Sequence, residues 1–569
     1  MSNKNNKSDD LIRLPHGVSD FKKLVCGNYK FIDKTLFIKD IINDGADVIL
    51  ITRPRRFGKT LNLSMLYHFL HYNDNQDENI FKGLEISKDL KFCQTYQNQH
   101  PIIFISFKDI KQTSYNRAYG EIVELIRRLY STHRYLLEEN ILHDDEKAYF
   151  MSLLNKQADI SSVTAAIQQL SIYIERKFKK SPIILIDEYD TPIQEAYLKE
   201  YYAEMVGLMR SIFGKALKDN NYLAKAVLTG ITRISQESLF SGLNNITIYT
   251  LLREKYGQYF GFTEQEVIRL ISETKQQVSI DEISEWYNGY QIKEHILYNP
   301  WSIISCLANT GELRPYWLNT ASNSLIKKLL TNASVTVKQQ IETLLQGNVI
   351  EQPISENLVF PEIETSEEAL WSLLLYAGYL KVLSSELRGY RLMAKIAIPN
   401  KEVSFVYDQV VEQWFSTTLS LDSYDRFIQT LKDSDLDKFK AYLSSYIMQT
   451  GSYFDFNQNT HEQIFHIFIL GLVVGLRDHY YIYSNRESGL GRFDVILIPH
   501  DKQKKGILLE FKIAEKAELL QDKALQALQQ IKEKQYIEEF KTHKINSVLA
   551  IGLSFFGKQV ELMHENLDL

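Results

Sequence analysis

Four apolar runs mark the first half of the chain, and polar or small residues follow each of them. The runs occupy residues 48–52, 101–107, 183–186 and 224–230. Mostly apolar runs of about four to eight residues are typical of strands that are buried on both faces. Stretches with a helical period separate the runs, and one of them begins at Lys59. Alternating strands and helices predict an α/β fold with a parallel sheet.

The pattern changes after the fourth run. Thr263 and Glu266 form a capping-box pair, which predicts the start of a helix. Helical periodicity then dominates to about residue 350. Residues 368–400 predict a helix followed by a hairpin, an order that winged helices also have, and helical segments follow from 404 to about 446. The Thr450-Gly451-Ser452 stretch is a plausible boundary before the last domain.

The first apolar run leads into a turn whose residues suit phosphate. Residues 53–61 read RPRRFGKTL and lie between the predicted strand and the predicted helix. Such a turn points several backbone N–H groups and the positive end of the helix dipole at one place, so anions bind there. Gly58 would let the backbone approach the phosphates, Lys59 would reach the β- and γ-phosphates, and the Thr60 hydroxyl would ligate Mg²⁺. The predicted nucleotide-binding loop also includes Arg53, Arg56, Phe57 and Leu61. The alternative is a chance Gly-Lys-Thr at a strand-helix turn.

The third apolar run ends in two acids, Asp187 and Glu188. A buried parallel strand delivers such residues to the carboxyl edge of the sheet, where ligands bind. In nucleotide hydrolases with a phosphate-binding loop, the Asp holds Mg²⁺, and the following Glu is placed to polarise the attacking water as a general base. The alternative is a core strand with a solvated acidic end.

Several longer motifs carry a resemblance to a known family. They are Val18-Ser19-Asp20-Phe21, Asp33-Lys34-Thr35, residues 53–60, residues 187–193 (DEYDTPI), residues 228–231, residues 241–245, residues 286–290 (WYNGY) and residues 298–302 (YNPWS). The chain resembles, over nearly its whole length, the AAA-ATPase-like family, whose members usually carry a C-terminal PD-(D/E)xK nuclease-like domain. In that family an Arg stands where the generic phosphate-binding loop has its first glycine, so Arg53 departs from such loops at large and not from the family.

The resemblance implies a domain order as well as a fold. We expect a P-loop AAA-type ATPase core at 1–250, with a parallel sheet, and a helical lid at 251–350. A helical linker, of which a winged helix is one form, would occupy 351–450. An α/β restriction-endonuclease-like domain of the PD-(D/E)xK type would occupy 451–569.

Two further candidates follow from the fourth apolar run. It ends near Thr229, the place where ATPases of the resembled class keep a side chain that senses the γ-phosphate. Arg233 follows four residues later and would stabilise transition-state charge as an arginine finger does, in cis or in a neighbouring subunit. A salt-bridged surface arginine is the equal alternative for Arg233.

A second group of carboxylates lies near the C-terminus. Residues 491–497 and 506–512 predict two neighbouring strands, which carry Asp494, Glu510 and Lys512. Glu510 and Lys512 are two residues apart and therefore project from the same face. Asp494 and Glu510 would hold Mg²⁺ or Mn²⁺, and Lys512 would orient the water that attacks a phosphodiester. The α-β-β-β-α order of the family adds Glu462 as a third acid and Gln530 as a backbone-positioning residue, each equally consistent with a surface position. The alternatives are an edge strand with a solvent salt bridge and a degenerate nuclease that binds no metal.

Composition narrows the class of protein. The chain has 569 residues and a formal net charge of −6, so any nucleic-acid binding must come from local patches. Three cysteines far apart in the sequence argue against a disulfide scaffold or a zinc site. The polar first ten residues lack the apolar core of a signal peptide. The longest apolar run, around 467–476, is too short to span a bilayer, so we expect a cytoplasmic protein without membrane contact.

These features predict an ATP-binding and ATP-hydrolysing protein whose nucleotide state controls a metal-dependent nuclease-like domain. ATP and Mg²⁺, or Mn²⁺, are the expected cofactors, and DNA or RNA is the expected partner, with a homo-oligomer as an option. The rival hypothesis is a regulatory ATPase switch, STAND-like or of a defence type, whose C-terminal domain is an inactive binding platform.

Overall fold

The structure is a computed structural model of the chain. It describes residues 12–72, 80–138, 141–218, 220–234, 239, 245–292, 294–318, 324–345, 347–416, 421–450, 469, 473, 476, 479–484, 487–488, 491–534 and 536–569. The chain divides into two compact units. Unit 1 is Met1–Leu325 with Glu351–Val403, and unit 2 is Ile326–Ile350 with Ser404–Leu569.

Unit 1 is built on a parallel sheet of five strands. The strands are β1 (Val48–Thr52), β2 (Ile102–Ser106), β3 (Ile183–Asp187), β4 (Lys225–Gly230) and β5 (Ile246–Tyr249). Their order is β2-β3-β4-β1-β5, and every pair is parallel. The four predicted apolar runs are therefore confirmed as strands of one sheet. The fifth strand, ITIY, has only four residues and is only partly buried. It therefore lacks the apolar pattern from which the other four strands were predicted.

Helices connect and cover these strands. Before β4 they are α1 (Phe21–Cys26), α2 (Leu36–Asn43), α3 (Lys59–Leu70), α4 (Leu90–Tyr96), α5 (Tyr115–Thr132), α6 (Tyr135–Glu138), α7 (Asp144–Leu154), α8 (Ile160–Phe178), α9 (Thr191–Leu198) and α10 (Tyr202–Leu217). Every residue of β1 and β3 is buried, as expected of central strands in a parallel sheet. The register pairs Ile51 with Thr229 and Ile186 with Leu228. The carboxyl ends of β1, β3 and β4 therefore lie side by side.

A helical cluster follows the sheet in unit 1. It contains α11 (Glu264–Thr274), α12 (Ile280–Tyr287) and α13 (Pro300–Ala308), with a hairpin of β6 (Tyr290–Ile292) and β7 (His295–Leu297) between the last two helices. The capping box predicted at Thr263 and Glu266 is present at the start of α11. Buried side chains from all three helices form one hydrophobic core, centred on Leu270, Tyr287 and Ile303.

The middle of the chain continues with α14 (Ser324–Thr331), α15 (Val335–Leu345), β8 (Ile350–Pro353), α16 (Glu367–Tyr376), β9 (Lys381–Arg388) and β10 (Arg391–Ala397). The three strands form a sheet in the order β8-β10-β9. The helix and hairpin predicted within 368–400 are thus present. Every residue of α16 from Ala369 to Tyr376 is buried, which makes this helix part of a core.

Unit 2 contains α17 beyond Val403 and a mixed sheet. Besides α15 and most of α14, its helices are α17 (Lys401–Ser416, begun in unit 1), α18 (Leu421–Lys432), α19 (Leu436–Thr450), α20 (Leu520–Glu533) and α21 (Glu538–Thr542). Its strands are β11 (Tyr480–Ser484), β12 (Glu487–Ser488), β13 (Gly491–Arg492), β14 (Val495–Pro499), β15 (Gly506–Ile513), β16 (Ser547–Phe556) and β17 (Gln559–Asp568).

Five of these strands form the main sheet of unit 2, in the order β11-β14-β15-β16-β17. Only β15 and β16 pair in parallel among the described strands of this sheet. Helix α20 packs closely on β16, because a Cβ at Gly552 would lie 2.3 Å from the Ala524 carbonyl oxygen. The predicted α/β class is confirmed for the two five-stranded sheets. In the described part of the chain, no helix combines the length and apolar character needed to cross a bilayer.

Candidate functional site

The loop between β1 and α3 has the backbone shape of an anion site. Gly58 and Arg56 both have left-handed backbone conformations, with φ of 83° and 68°. Strained conformations of non-glycine residues such as Arg56 cluster at ligand-binding sites. Gly58 is the N-cap of α3, so the first N–H groups of a twelve-residue helix face the loop.

Lys59 is turned inward, toward the loop itself. Its ammonium group donates hydrogen bonds to the carbonyl oxygens of Arg53, at 3.0 Å, and Pro54, at 2.9 Å. Burial lowers the pKa of Lys59, and the carboxylates of Glu188, Asp190 and Asp187 act in the opposite direction. A phosphate would compete with the two carbonyls for this charge.

Asp187 brings three sequence-distant segments together. It is the last residue of β3, and its carboxylate is fully buried. The Thr60 hydroxyl donates to Oδ2 and the Thr229 hydroxyl donates to Oδ1, each at 2.8 Å. Burial raises the pKa of Asp187, and the two hydroxyl hydrogen bonds oppose that rise. Because the Thr60 hydroxyl and the Asp187 carboxylate are hard oxygen donors side by side, they fit a Mg²⁺ ion.

Glu188 follows at the sheet edge with φ of 51°, another left-handed conformation. It accepts a hydrogen bond from the Thr191 hydroxyl at 3.2 Å and lines a cavity. The same cavity is lined by Gly58, Lys59 and Thr60. Glu188 therefore faces the space in which a ligand of Lys59 would lie, as a general base for water requires.

The cavity has a volume of about 460 Å³. This volume is within the range of pockets for small molecules, about 300–1,000 Å³. Its basic lining residues are Lys30, Lys34, Arg55, Arg56, Lys59, Lys108 and Lys111. Apolar side chains also line it, among them Val18, Phe31, Phe262 and Trp301. Leu61 and Phe57 are part of the lining, as predicted for the loop. Such a cavity suits a ligand that has a polyanionic part and an apolar part.

Arg53 lies behind the loop. Its side chain is fully buried, and its guanidinium group donates to the carbonyl oxygens of Thr52, at 2.8 Å, and Tyr249, at 3.0 Å. The group also lies over the ring of Phe260, 5.2 Å from its centre. Burial lowers the pKa of Arg53 to about 9, so it stays charged at neutral pH. Arg53 is not among the described residues that line the cavity, so in this conformation it contributes to the loop through its backbone.

Arg233 is also outside the described cavity lining. Its guanidinium group forms an ion pair with Glu356 at 3.4 Å, and its carbonyl oxygen accepts a hydrogen bond from the Leu358 amide at 3.0 Å. Arg253 shares the same Glu356 oxygen, also at 3.4 Å. In this conformation Arg233 is salt-bridged, as in the alternative to an arginine finger. A role at the phosphates would require its guanidinium group to leave Glu356.

Tyr189 and Asp190, both from the DEYD motif, hold the segment after Thr229 in place by hydrogen bonds. Asp190 is buried, and its Oδ2 atom accepts hydrogen bonds from the backbone amides of Ile231 and Thr232, both at 2.9 Å. The Tyr189 hydroxyl donates to the Thr232 carbonyl at 2.6 Å. Asp190, the second aspartate of the DEYD motif, was the available signal, but its partners lie 41 and 42 residues away in the sequence.

The second predicted site lies in unit 2, where β14 and β15 pair. The register sets Val495 opposite Leu509, so Asp494 and Glu510 are neighbours across the strands. The Asp494 carboxylate accepts a hydrogen bond from the Phe511 amide at 2.6 Å, and the Asp494 amide donates to Glu510 at 3.3 Å. Lys512 lies two residues beyond Glu510 in β15, on the same face. The structure therefore brings the three predicted residues to one place.

Gln530, from α20, extends this group. Its side-chain amide donates to the Glu510 carboxylate and, at 3.3 Å, to the hydroxyl of Tyr536. Tyr536 is buried, and it could not be predicted as part of this site, because nothing in the sequence spacing links it to Glu510. Glu462 lies outside the described residues. Within the described residues, no set of three or more His, Cys, Asp or Glu side chains is grouped for a metal ion. Asp494 and Glu510 supply two hard carboxylates, a donor set that fits Mg²⁺ or Mn²⁺.

Two family models match the parts of the chain that contain the candidate sites. Residues 15–240 match the family model described as a predicted AAA-ATPase, and residues 460–565 match the PD-(D/E)XK nuclease superfamily. An uncharacterized protein in the vnfD 5′ region of Azotobacter chroococcum mcd 1 is 27% identical over 393 residues, which are 69% of this chain and 68% of that protein. A Walker-type ATPase of Pyrococcus abyssi is 12% identical with a TM-score of 0.34, over 70% of this chain and 99% of that one. The two domains of the predicted resemblance are confirmed by the family matches.

Proposed function

We propose that this chain, with its AAA-ATPase-like and PD-(D/E)XK nuclease-like domains, binds and hydrolyses ATP and uses the nucleotide to control cleavage of a nucleic acid. The observation that carries the first part is the hydrogen-bonded contact of Asp187 with Thr60 and Thr229, next to a cavity that Thr60, Glu188, Lys59 and several other basic residues line. Hydroxyl, carboxylate and ammonium groups in this arrangement match the needs of a phosphate chain with a divalent cation.

Each residue at this site has a distinct task. Lys59 would exchange the Arg53 and Pro54 carbonyl oxygens for phosphate oxygens, and the N-terminus of α3 would add backbone N–H donors. Thr60 and Asp187 would hold Mg²⁺, which when bound offsets charge on the phosphates. Glu188 would take a proton from the attacking water. Thr229, which is hydrogen-bonded to Asp187, would sense the γ-phosphate. The apolar side chains of Phe31 and Phe262 in the cavity wall would pack against the adenine ring.

The site in unit 2 supports the second part of the proposal. Asp494 and Glu510 would hold the divalent cation, which when bound polarises a phosphodiester. Gln530 holds the Glu510 carboxylate in place, as residues that contact a metal ligand do. Lys512 would orient the attacking water and offset charge on the phosphate.

Titration of purified protein with Mg-ATP tests the nucleotide site. Lys59→Ala should lose binding, because it removes the charge that meets the phosphates. Glu188→Gln should keep binding and lose hydrolysis. Lys88→Ala is the matched control, since Lys88 is exposed and pairs with Glu85 on the surface. Equal ATP affinity in wild type and Lys59→Ala would refute the proposal for this site.

One observation favours the rival function, an ATP-dependent switch with an inactive C-terminal platform. Within unit 2 the candidate carboxylates already have internal donors, the Phe511 amide for Asp494 and the Gln530 amide for Glu510. A Mn²⁺-dependent rise in thermal stability that Asp494→Asn abolishes would favour the nuclease. The platform would be favoured if wild type and Asp494→Asn responded alike.

A further inference from the structure

Three consecutive carbonyl oxygens of the phosphate-binding loop accept hydrogen bonds. Those of Arg53 and Pro54 accept from Lys59, as described above. The next one, the Arg55 carbonyl, accepts from the indole Nε1–H of Trp317 at 3.3 Å. Trp317 is fully buried and Arg55 is half-buried, so this hydrogen bond is partly buried. The middle of the loop is therefore held by a side chain that lies more than 250 residues away, by a separation of 262.

Trp317 is itself held by a buried acid. The Glu402 carboxylate is fully buried and accepts a hydrogen bond from the Trp317 backbone amide at 2.7 Å. Its other oxygen accepts from the Ser302 hydroxyl, also at 2.7 Å. The residue before Ser302 is Trp301, whose ring lies 4.2 Å from the guanidinium carbon of Arg56. One carboxylate thus anchors two segments, each of which places a tryptophan against the loop.

Burial of the Glu402 carboxylate costs free energy in the folded protein. An ionised carboxylate without a basic partner loses hydration that hydrogen bonds from neutral donors only partly replace. Ser302 and the backbone of Trp317 are neutral donors, and no described lysine or arginine forms an ion pair with Glu402. Removing the acid would leave the Trp317 amide without this partner in the core.

We propose that Glu402 and Trp317 are positioning residues for the phosphate-binding loop, and that they set its affinity for nucleotide. The inference rests on the proposed function, since it concerns the same loop. When a phosphate draws Lys59 away from the Arg53 and Pro54 carbonyls, the bond from Trp317 to the Arg55 carbonyl still holds the loop. Glu402 lies in the first turn of α17, the helix that begins in unit 1 and continues past Val403 into unit 2.

The first test removes only the indole N–H. Trp317→Phe keeps an aromatic ring but loses the hydrogen bond to the Arg55 carbonyl, so the dissociation constant for Mg-ATP should rise about 2- to 10-fold, the range for one net hydrogen bond. Trp371→Phe is the matched control, because Trp371 is also fully buried and its Nε1 atom has no hydrogen-bond partner among the described residues. Its affinity should stay at the wild-type value. The inference is overturned if Trp317→Phe and Trp371→Phe bind Mg-ATP equally well.

A pH profile provides a readout that a loss of packing would not produce. Burial raises the pKa of Glu402 to about 7, against hydrogen bonds from Ser302 and from the backbone of Trp317 and Tyr316. The titratable side chains that interact with it are Tyr287 and Cys306, and burial raises the pKa of both. Both stay neutral between pH 6 and 8, so Glu402 is the one of these three groups that changes charge. His16 lies against Trp301, and because it is present in both proteins its own titration affects both.

Glu402→Gln is the variant for this profile, because Gln keeps the shape and removes the titration. At pH 8 wild-type Glu402 is mostly ionised and accepts from both segments, so Glu402→Gln should bind Mg-ATP about 2- to 10-fold more weakly. At pH 6 the wild-type acid is mostly protonated, and the two proteins should agree within about twofold. Taking the ratio of the two affinities cancels the protonation of ATP itself. A ratio that stays constant from pH 6 to pH 8 overturns the inference.

The two proposals fail in different ways. If wild type does not bind Mg-ATP, the proposed function fails. If wild type binds and Lys59→Ala does not, while Trp317→Phe binds as tightly as wild type, the function stands and the positioning role is wrong.

Discussion

The two candidate sites hold their central carboxylates by different means. Asp187 in unit 1 accepts hydrogen bonds from two hydroxyl side chains, Thr60 and Thr229, which come from different segments. Glu510 in unit 2 accepts from the Gln530 side chain and from the backbone of Asp494, its cross-strand neighbour. The first arrangement depends on the order of a whole parallel sheet, and the second depends mainly on one pair of antiparallel strands. The difference predicts that the first site is sensitive to distant changes and the second to local ones.

The largest expected effect is at the second site. Lys512→Ala should lower metal-dependent cleavage of DNA or RNA by about 10²- to 10³-fold, the cost of removing one group that stabilises transition-state charge. It should spare the Mn²⁺-dependent rise in thermal stability, which Asp494→Asn should abolish. Lys505→Ala, at a lysine bonded to Asn566 just before β15, is the control with unchanged activity. A Lys512→Ala protein that cleaves like wild type would leave the site without a catalytic lysine.

The next effect concerns the pH dependence of the stability of unit 1 against unfolding. Burial raises the pKa of Glu402 from its usual 4.5 to about 7, so between these pH values the folded protein keeps a proton that the unfolded chain has already lost. Stability from this group is therefore full below about pH 4.5 and is lost as the pH rises through 7, by roughly 3 kcal/mol. Urea unfolding of wild type and Glu402→Gln at pH 5 and pH 8 measures it. The wild type should lose more stability between the two pH values, and equal losses would contradict the raised pKa.

A smaller effect is expected from Arg233. Because its guanidinium group pairs with Glu356 in this conformation, Arg233→Ala should lower the ATPase rate by less than about tenfold. An arginine finger contributes about 10³-fold or more. A loss of that size, with ATP affinity preserved, would show that Arg233 leaves Glu356 during the reaction. Arg253→Ala, at the other arginine of this ion-pair group, is the control that removes a charge near Glu356 without the candidate finger.

The smallest effect tests the periphery of the second site. Tyr536→Phe removes only the hydroxyl that meets the Gln530 amide. Partners of a metal ligand typically contribute about 10- to 100-fold to metal affinity, and Tyr536 is one contact further from the metal, so we expect a loss of less than about tenfold in Mn²⁺ affinity. Gln530→Ala should lose more than Tyr536→Phe, and the reverse order would mean that Tyr536 contacts the carboxylates directly.

The same contrast explains what the sequence could predict. The pairing of Asp494 with Glu510 follows from strand period and a short turn, which are local properties. Lys59, Thr60 and Asp187 were accessible because strand-loop-helix chemistry is also local. The bonds of Asp190 to Ile231 and Thr232, and of Glu402 to Trp317, join segments 41 to 85 residues apart. No periodicity encodes such contacts, so their roles required the folded chain.

The sequence also could not predict the direction in which long side chains point. The sequence predicted Arg53 as part of the nucleotide-binding loop, and it offered Arg233, four residues after Thr229, as an arginine finger or equally as a salt-bridged surface arginine. In the structure each guanidinium group points to another partner, the carbonyl oxygens of Thr52 and Tyr249 for Arg53 and the carboxylate of Glu356 for Arg233. Position along a loop predicts where the backbone lies, but the buried acceptors nearby decide where a long side chain goes.

The placement of Arg53 changes how phosphate-binding loops should be sought in other genomes. A search written with glycine at both ends of the motif would pass over this chain, although Gly58, Lys59 and Thr60 are all in place. The buried arginine ties the end of β1 to Tyr249 at the end of β5, so it secures the start of the loop by side-chain bonds instead of by glycine's freedom. A search pattern that allows either solution, and that asks for an apolar strand before it and an acid-ended strand after it, would recover such proteins.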